Sequence, residues 1–279
     1  MITRRTMLAS ACAALPGMGK QNGFGPFGLE IYSLRAEAAK DLPATLAMIR
    51  KFGFKEIEMG ELFGRSPAEF RKLLDQNGLK ATSMMADYER LGKSLDSVAA
   101  EAHTLGADNV VASTIPHKKF HSAENIARAI EDFNRWGERL AGSGLHLCYH
   151  THGTEFNKSP EGTLFDTLVQ HTDPKYVNYE MDIFWIVFAF QDPVKLLHKY
   201  PGRFPLMHVK DIRKGTVLGR TPADVMEEDS VQLGAGIVDI PASLRAAKET
   251  GVKHYYIEDE AVNAAEQLPQ SLKYLAGVR

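Results

Sequence analysis

The chain has 279 residues, 44% of them hydrophobic and 24% charged, an ordinary globular composition that excludes intrinsic disorder. A net charge of −2 gives no basic field to hold a nucleic-acid backbone or an anionic membrane surface, so the expected partner is a small polar molecule and not a nucleic acid. Two cysteines, Cys12 and Cys148, cannot build a disulfide framework, and no run approaches the roughly 18 to 20 apolar residues of a membrane span.

In chain order the first feature is an address. Thr3-Arg4-Arg5-Thr6-Met7-Leu8 sets paired arginines ahead of a short apolar stretch closed by Pro16-Gly17, the pattern of a twin-arginine export signal. Residues 1–25 are therefore expected to be signal and linker and residues 26–279 the folded domain. The expected location is the periplasm, or the cytoplasm if the signal does not function.

From residue 27 onward short apolar runs alternate with amphipathic segments. Runs at 27–32, 56–59, 81–84, 109–113, 145–150, 177–182, 205–210 and 255–259 have the length and composition of strands. Helical spacing fills 42–52, 67–76, 95–105, 123–140, 162–171, 193–198, 241–250 and 261–275. Gly53, Gly78, Gly106, Gly144 and Gly251 stand where helices must stop before the next strand. Strand then helix, repeated eight times, predicts an α/β protein of one domain, a (β/α)8 TIM barrel. One long polar stretch, 212–231, is expected as a loop over the barrel mouth; its Arg213 and Arg220 are either solvated or available to an anionic group.

In such a barrel the chemistry lies at the C-terminal ends of the strands. Strand five ends Cys148-Tyr149-His150-Thr151-His152, with Glu155 beyond it. Strand six ends Tyr179-Glu180-Met181-Asp182, strand seven Met207-His208-Val209-Lys210-Asp211, and strand eight Ile257-Glu258-Asp259-Glu260. Side chains two apart share a face of a strand, so His150, Asp182, His208 and Glu258 can meet at the mouth. Singly, each is an ordinary capped or solvated group. Together they form a mixed imidazole and carboxylate shell suited to one divalent metal: Mn first, with Zn, Co or Fe possible, rather than Mg.

These strand ends, with Trp185 and Asp192-Pro193 after strand six and the opening Leu29-Glu30-Ile31-Tyr32-Ser33-Leu34-Arg35, resemble the sugar phosphate isomerase/epimerase family of xylose isomerase-like TIM barrels. The resemblance covers nearly the whole chain after the signal. It implies one divalent metal, often manganese, held from strands five to eight by Asp182, His208 and Glu258, with a sugar or inositol derivative above it. Strand five departs from the pattern. The family's ketose epimerases carry a glutamate there that ligates metal and acts as one of two bases, whereas this chain has His150, with His152 as an alternative or additional ligand.

A metal beside carboxylates and a lysine suits proton abstraction next to a carbonyl, through an enediolate stabilised by charge. Glu258 is the first choice of base, Glu180 the second, and Glu155 a group that could approach from the other side. Lys210 is either a proton donor to oxygen or an ion-pair partner of Asp182 or Glu180. His152, Trp185, Tyr32 and Glu58 are the candidate substrate contacts. The expected activity is that of an isomerase or epimerase on a sugar or sugar derivative. The alternative is a lyase or dehydratase acting on a keto-sugar, inosose or keto-glycoside, and a homo-oligomer is possible.

Overall fold

The computed structural model describes residues 24–117, 120–219 and 221–278. The expected export signal, apart from its last two residues, and Arg220 lie outside the described residues. The eight expected runs form the strands β1 (Gly28–Glu30), β2 (Glu56–Met59), β3 (Lys80–Ala86), β4 (Asn109–Ala112), β5 (His146–His150), β6 (Val177–Asp182), β7 (Leu206–Val209) and β8 (His254–Ile257). They pair in parallel, each with its sequence neighbours, and β1 joins β8 to close the barrel. Around it run α1 (Arg35–Lys40), α2 (Leu42–Phe52), α3 (Pro67–Asn77), α4 (Tyr88–Leu105), α5 (Ala123–Gly142), α6 (Leu164–His171), α7 (Ile183–Phe188), α8 (Pro193–Lys199), α9 (Ile240–Thr250) and α10 (Ala264–Gly277).

Local chemistry sets these boundaries. Ser66, Ser122 and Thr163 each accept from the backbone three residues on, in reciprocal capping boxes with Glu69, Asn125 and Asp166. Gly53, Gly78, Gly106 and Gly251 terminate α2, α3, α4 and α9 in the left-handed conformation, as expected. The α4 helix begins seven residues before the expected start at residue 95 because the chain breaks helical geometry at Ser94 and resumes.

Alternation along the strands divides the core in two. Val111, Cys148, Leu206 and Tyr256 pack inside the barrel, with Thr82 bonded to the Tyr256 hydroxyl at 2.8 Å. The larger apolar cluster fills the space between sheet and helices. One pleat above Cys148, Leu206 and Tyr256 on the same inward faces stand His150, His208 and Glu258. The register places His150 opposite Glu180 and Asp182 opposite His208, so strand pairing alone assembles the cluster.

The stretch at 212–231 differs from an open loop. Asp211–Ile212 pairs antiparallel with Ser230–Val231, and the excursion is folded into two short 3-10 turns. The Arg213 guanidinium donates to the Glu228 carbonyl at 2.7 Å, and Arg35 pairs with Glu227. Arg213 is therefore engaged within the excursion itself.

Candidate metal centre at the barrel mouth

Asp182 is both the last residue of β6 and the N-cap of α7. Its Oδ1 accepts from the backbone of Phe184 at 2.8 Å and Trp185 at 3.3 Å, which fixes the carboxylate plane. Its Oδ2 is buried and takes no hydrogen bond. That oxygen lies 3.9 Å from Nε2 of His150 and 3.9 Å from Nδ1 of His208. Glu258 Oε2 is 2.9 Å from the same His208 nitrogen. Donors of a tetrahedral site with ~2.1 Å bonds stand about 3.4 Å apart, so Asp182 would close on the two imidazoles by about half an ångström and Glu258 would open from His208 by about as much.

The opposite edges of both imidazoles are held from below. Glu180 Oε2 lies 2.8 Å from Nδ1 of His150 and 3.4 Å from Nε2 of His208, and Glu58 Oε2 lies 2.5 Å from that second nitrogen. Ser83 donates to the other Glu58 oxygen. A register shift against β3 between Ile57 and Glu58 brings Glu58 level with Ser83. Carboxylates behind ligating histidines commonly set ring orientation and basicity.

The electrostatics call for a cation. Burial first, then Glu58, pushes Glu180 well above the carboxylate range, and burial with Glu58 does the same to Glu30. Burial and Glu258 raise Asp182 to about 7, against the opposing pull of Lys210. Burial holds His150 well below the usual imidazole value, leaving it neutral. Burial pulls the same way on His208, but Glu180, Glu58 and Glu258 outweigh it and keep that ring protonated. Lys210, likewise held cationic against burial by Glu258 and Glu260, holds the Glu258 carboxyl well below its ordinary range. A divalent ion would supply the positive charge that Asp182 lacks, and would take the place of the His208 Nδ1 proton.

The strand ends thus bring together His150, Asp182, His208, Glu258, Glu180 and Lys210. Lys210 pairs with Glu258 at 3.5 Å and with Glu260, not with Asp182 or Glu180 as expected, and lies over the rings of Phe184 and Trp185. Glu58, expected to touch substrate, lies instead on the floor of the cluster, fully buried. Tyr32 is displaced outward: β1 ends at Glu30, the chain turns into a 3-10 helix, and the Tyr32 ring is 47% exposed with Arg35 across it. The inward residue of β1 is Glu30, which has the same parity as Tyr32 and was missed only because the strand is shorter than its apolar run.

Beyond β5 the chain turns sharply at Gly153 (φ 82°), where a Cβ would come within 2.8 Å of the Trp185 carbonyl. The turn lays the His152 ring 4.5 Å from that of His150 and 5.8 Å from Trp185. Burial lowers His152 to about 4. Glu155 accepts from the Tyr149 hydroxyl and, at 3.3 Å, from the His152 backbone. His121 reaches Glu155 from the β4–α5 connection, a segment without periodicity to mark it.

The family model for the xylose isomerase-like TIM barrel matches residues 46–277. An inosose dehydratase from Geobacillus kaustophilus is 26% identical over 60% of this chain and 61% of its own length; one from Geobacillus thermodenitrificans is 25% identical over 78% and 79%. The chain thus spans about three fifths of the former relative. A sugar phosphate isomerase/epimerase from Parabacteroides distasonis superposes with a TM-score of 0.74 and 26% identity, covering 100% of both chains. Strand order, closure and this sequence match together establish that the chain belongs to the xylose isomerase-like TIM barrel family.

Proposed function

We propose that the protein is a metal-dependent lyase that removes water from a neutral polyhydroxy ketone of the inosose type. His150, Asp182, His208 and Glu258 would hold one divalent cation, with manganese the first choice. Bound there, the cation would polarise a substrate carbonyl and its neighbouring hydroxyl and so acidify the adjacent C–H.

The observation that carries the reading is the one-sided placement of acid and base. Glu258, 8% exposed, is the most open member of the proposed ligand set, whereas Asp182 and His208 are fully buried. Its carboxylate is held ionised and lies 3.5 Å from the Lys210 ammonium. Glu258 takes the C–H proton; the electron pair forms the new double bond as the β-hydroxyl departs. Lys210 protonates that hydroxyl to water and is then reprotonated from Glu258. Epimerisation needs a second base across the substrate, but Glu180 lies beneath the imidazoles and Glu155 is engaged by Tyr149 and the His152 backbone. The inosose dehydratase relatives support the elimination reading. Aldose–ketose isomerisation, which also needs one base, is the second reading, favoured by the Parabacteroides neighbour.

Manganese-loaded protein incubated with an inosose in heavy water tests this directly. The expected product is lighter by one water, and Glu258→Gln should abolish it with metal retained. Deuterium uptake without loss of water would move the assignment to isomerase, and neither change would refute both readings.

A further inference from the structure

Buried polar atoms without a hydrogen-bond partner cluster in two places. One is the metal centre and its surroundings. The other is the turn after β5 and the histidine facing it: Nδ1 and Nε2 of His121, Nδ1 of His152, Oγ1 of Thr154 and Oε2 of Glu155. Each such atom keeps an uncompensated desolvation cost if nothing meets it, so five on neighbouring residues call for a polar occupant.

We infer that His121, His152, Thr154 and Glu155 form a second subsite, beside the metal centre, that binds hydroxyl groups of a neutral polyol. This deepens the reading above and rests on it for the identity of the reacting end of the substrate. His121 Nε2 and Glu155 Oε1 stand 3.7 Å apart, beyond hydrogen-bond distance. Oε1 is already taken by Tyr149 and the His152 backbone, so a hydroxyl would donate to the orphaned Oε2 and accept from the imidazole. A hydroxyl is the simple group that does both at one atom. The His152 ring, packed on that of His150, joins this cluster to the proposed cation ligands. His152 is half-buried, whereas the His121 and Glu155 side chains are fully buried.

The carboxylate also selects by charge. Although burial opposes ionisation, the neighbouring His121 and Tyr149 hold Glu155 below its ordinary range and favour the anion. A phosphate or carboxylate group placed against it is repelled, whereas a neutral hydroxyl is not.

Calorimetric titration of the full-length protein, stripped of metal with a chelator, with myo-inositol and an inositol monophosphate tests the subsite without turnover. The wild type should bind inositol more tightly than the monophosphate. His121→Ala, on a connection rather than a strand, and Glu155→Gln should each weaken inositol binding about tenfold or more while leaving manganese affinity and the circular dichroism spectrum unchanged. No inositol binding by the wild type, equal affinity in a folded His121→Ala, or tighter binding of the monophosphate would overturn the inference. No loss of water from inosose with inositol binding retained defeats only the proposed reaction. Undiminished inositol binding in His121→Ala with turnover intact defeats only the subsite.

Discussion

Replacing Glu180 by glutamine separates a base from an orienting acceptor. The carboxylate is fully buried, with Oε2 2.8 Å from His150 Nδ1 and 3.4 Å from His208 Nε2. Glutamine keeps the length and an acceptor oxygen where Oε2 stands, but it cannot take up the negative charge that a carboxylate supplies behind a cation-bound imidazole. Removal of such a partner behind ligating histidines costs about 10–100-fold in metal affinity, roughly 1.4–2.7 kcal/mol. Manganese affinity can be read by competition with a chromophoric chelator, and kcat measured in parallel at saturating metal. Glu180→Gln should weaken manganese binding by that factor and leave kcat within about tenfold of wild type. Unchanged affinity with kcat down about a thousandfold would make Glu180 the proton-abstracting group and refute the orienting role.

Lys210→Met should lower kcat by about 10²-fold or more, with a smaller change in KM, if Lys210 delivers the proton to the leaving oxygen; equal losses in binding alone would reduce it to an ion pair. Asp211 accepts from four backbone groups, those of Ile212, Gly234, Gly236 and Val238, at 2.9–3.0 Å, and so anchors residues 232–238 under β7. Asp211→Asn turns an amide nitrogen toward two of these donors and should cost about 2–4 kcal/mol in urea unfolding; a loss below about 0.5 kcal/mol would contradict the anchoring. Asp166 is held below its ordinary range: burial opposes this, but Lys199, Tyr200 and the Thr163 cap outweigh it. Its folded-state pKa is depressed, so its contribution is complete above the unfolded value of about 3.9 and is lost as pH falls through the folded value. The stability gap between wild type and Asp166→Asn should therefore be constant from about pH 5 to 7 and shrink below about pH 4, and a gap independent of pH would contradict the ion-pair reading.

Whatever depends on strand parity was readable in advance. His150, Asp182, His208 and Glu258 follow from counting in twos back from the ends of four apolar runs, because parallel pairing carries those ends to one rim. Features that depend on where a strand stops, or on contacts distant in sequence, were not. The apolar run points to Tyr32, whereas Glu30 is the inward residue, because the run continues into a one-turn helix that hydrophobicity cannot distinguish from a strand. The Glu58–Ser83 contact arises from a register shift, and the Lys210 pairing with Glu260 from the direction a four-carbon chain takes among several acids. His121 lies in a connection with no pattern, and only its burial against Glu155 reveals it. The aromatic run after β6 forms α7, a helix that its continuous apolarity concealed, and Asp182 is fixed by capping it.

Metal stoichiometry of the purified protein is the most direct measurement. After equilibration with manganese and removal of the excess, elemental analysis should find about one ion per chain in the wild type and none in Asp182→Asn or His208→Ala, with the barrel's circular dichroism intact in each. Wild-type protein that retains no divalent ion, or folded variants that retain it undiminished, would contradict a cation held by the imidazoles and carboxylates of β5 to β8.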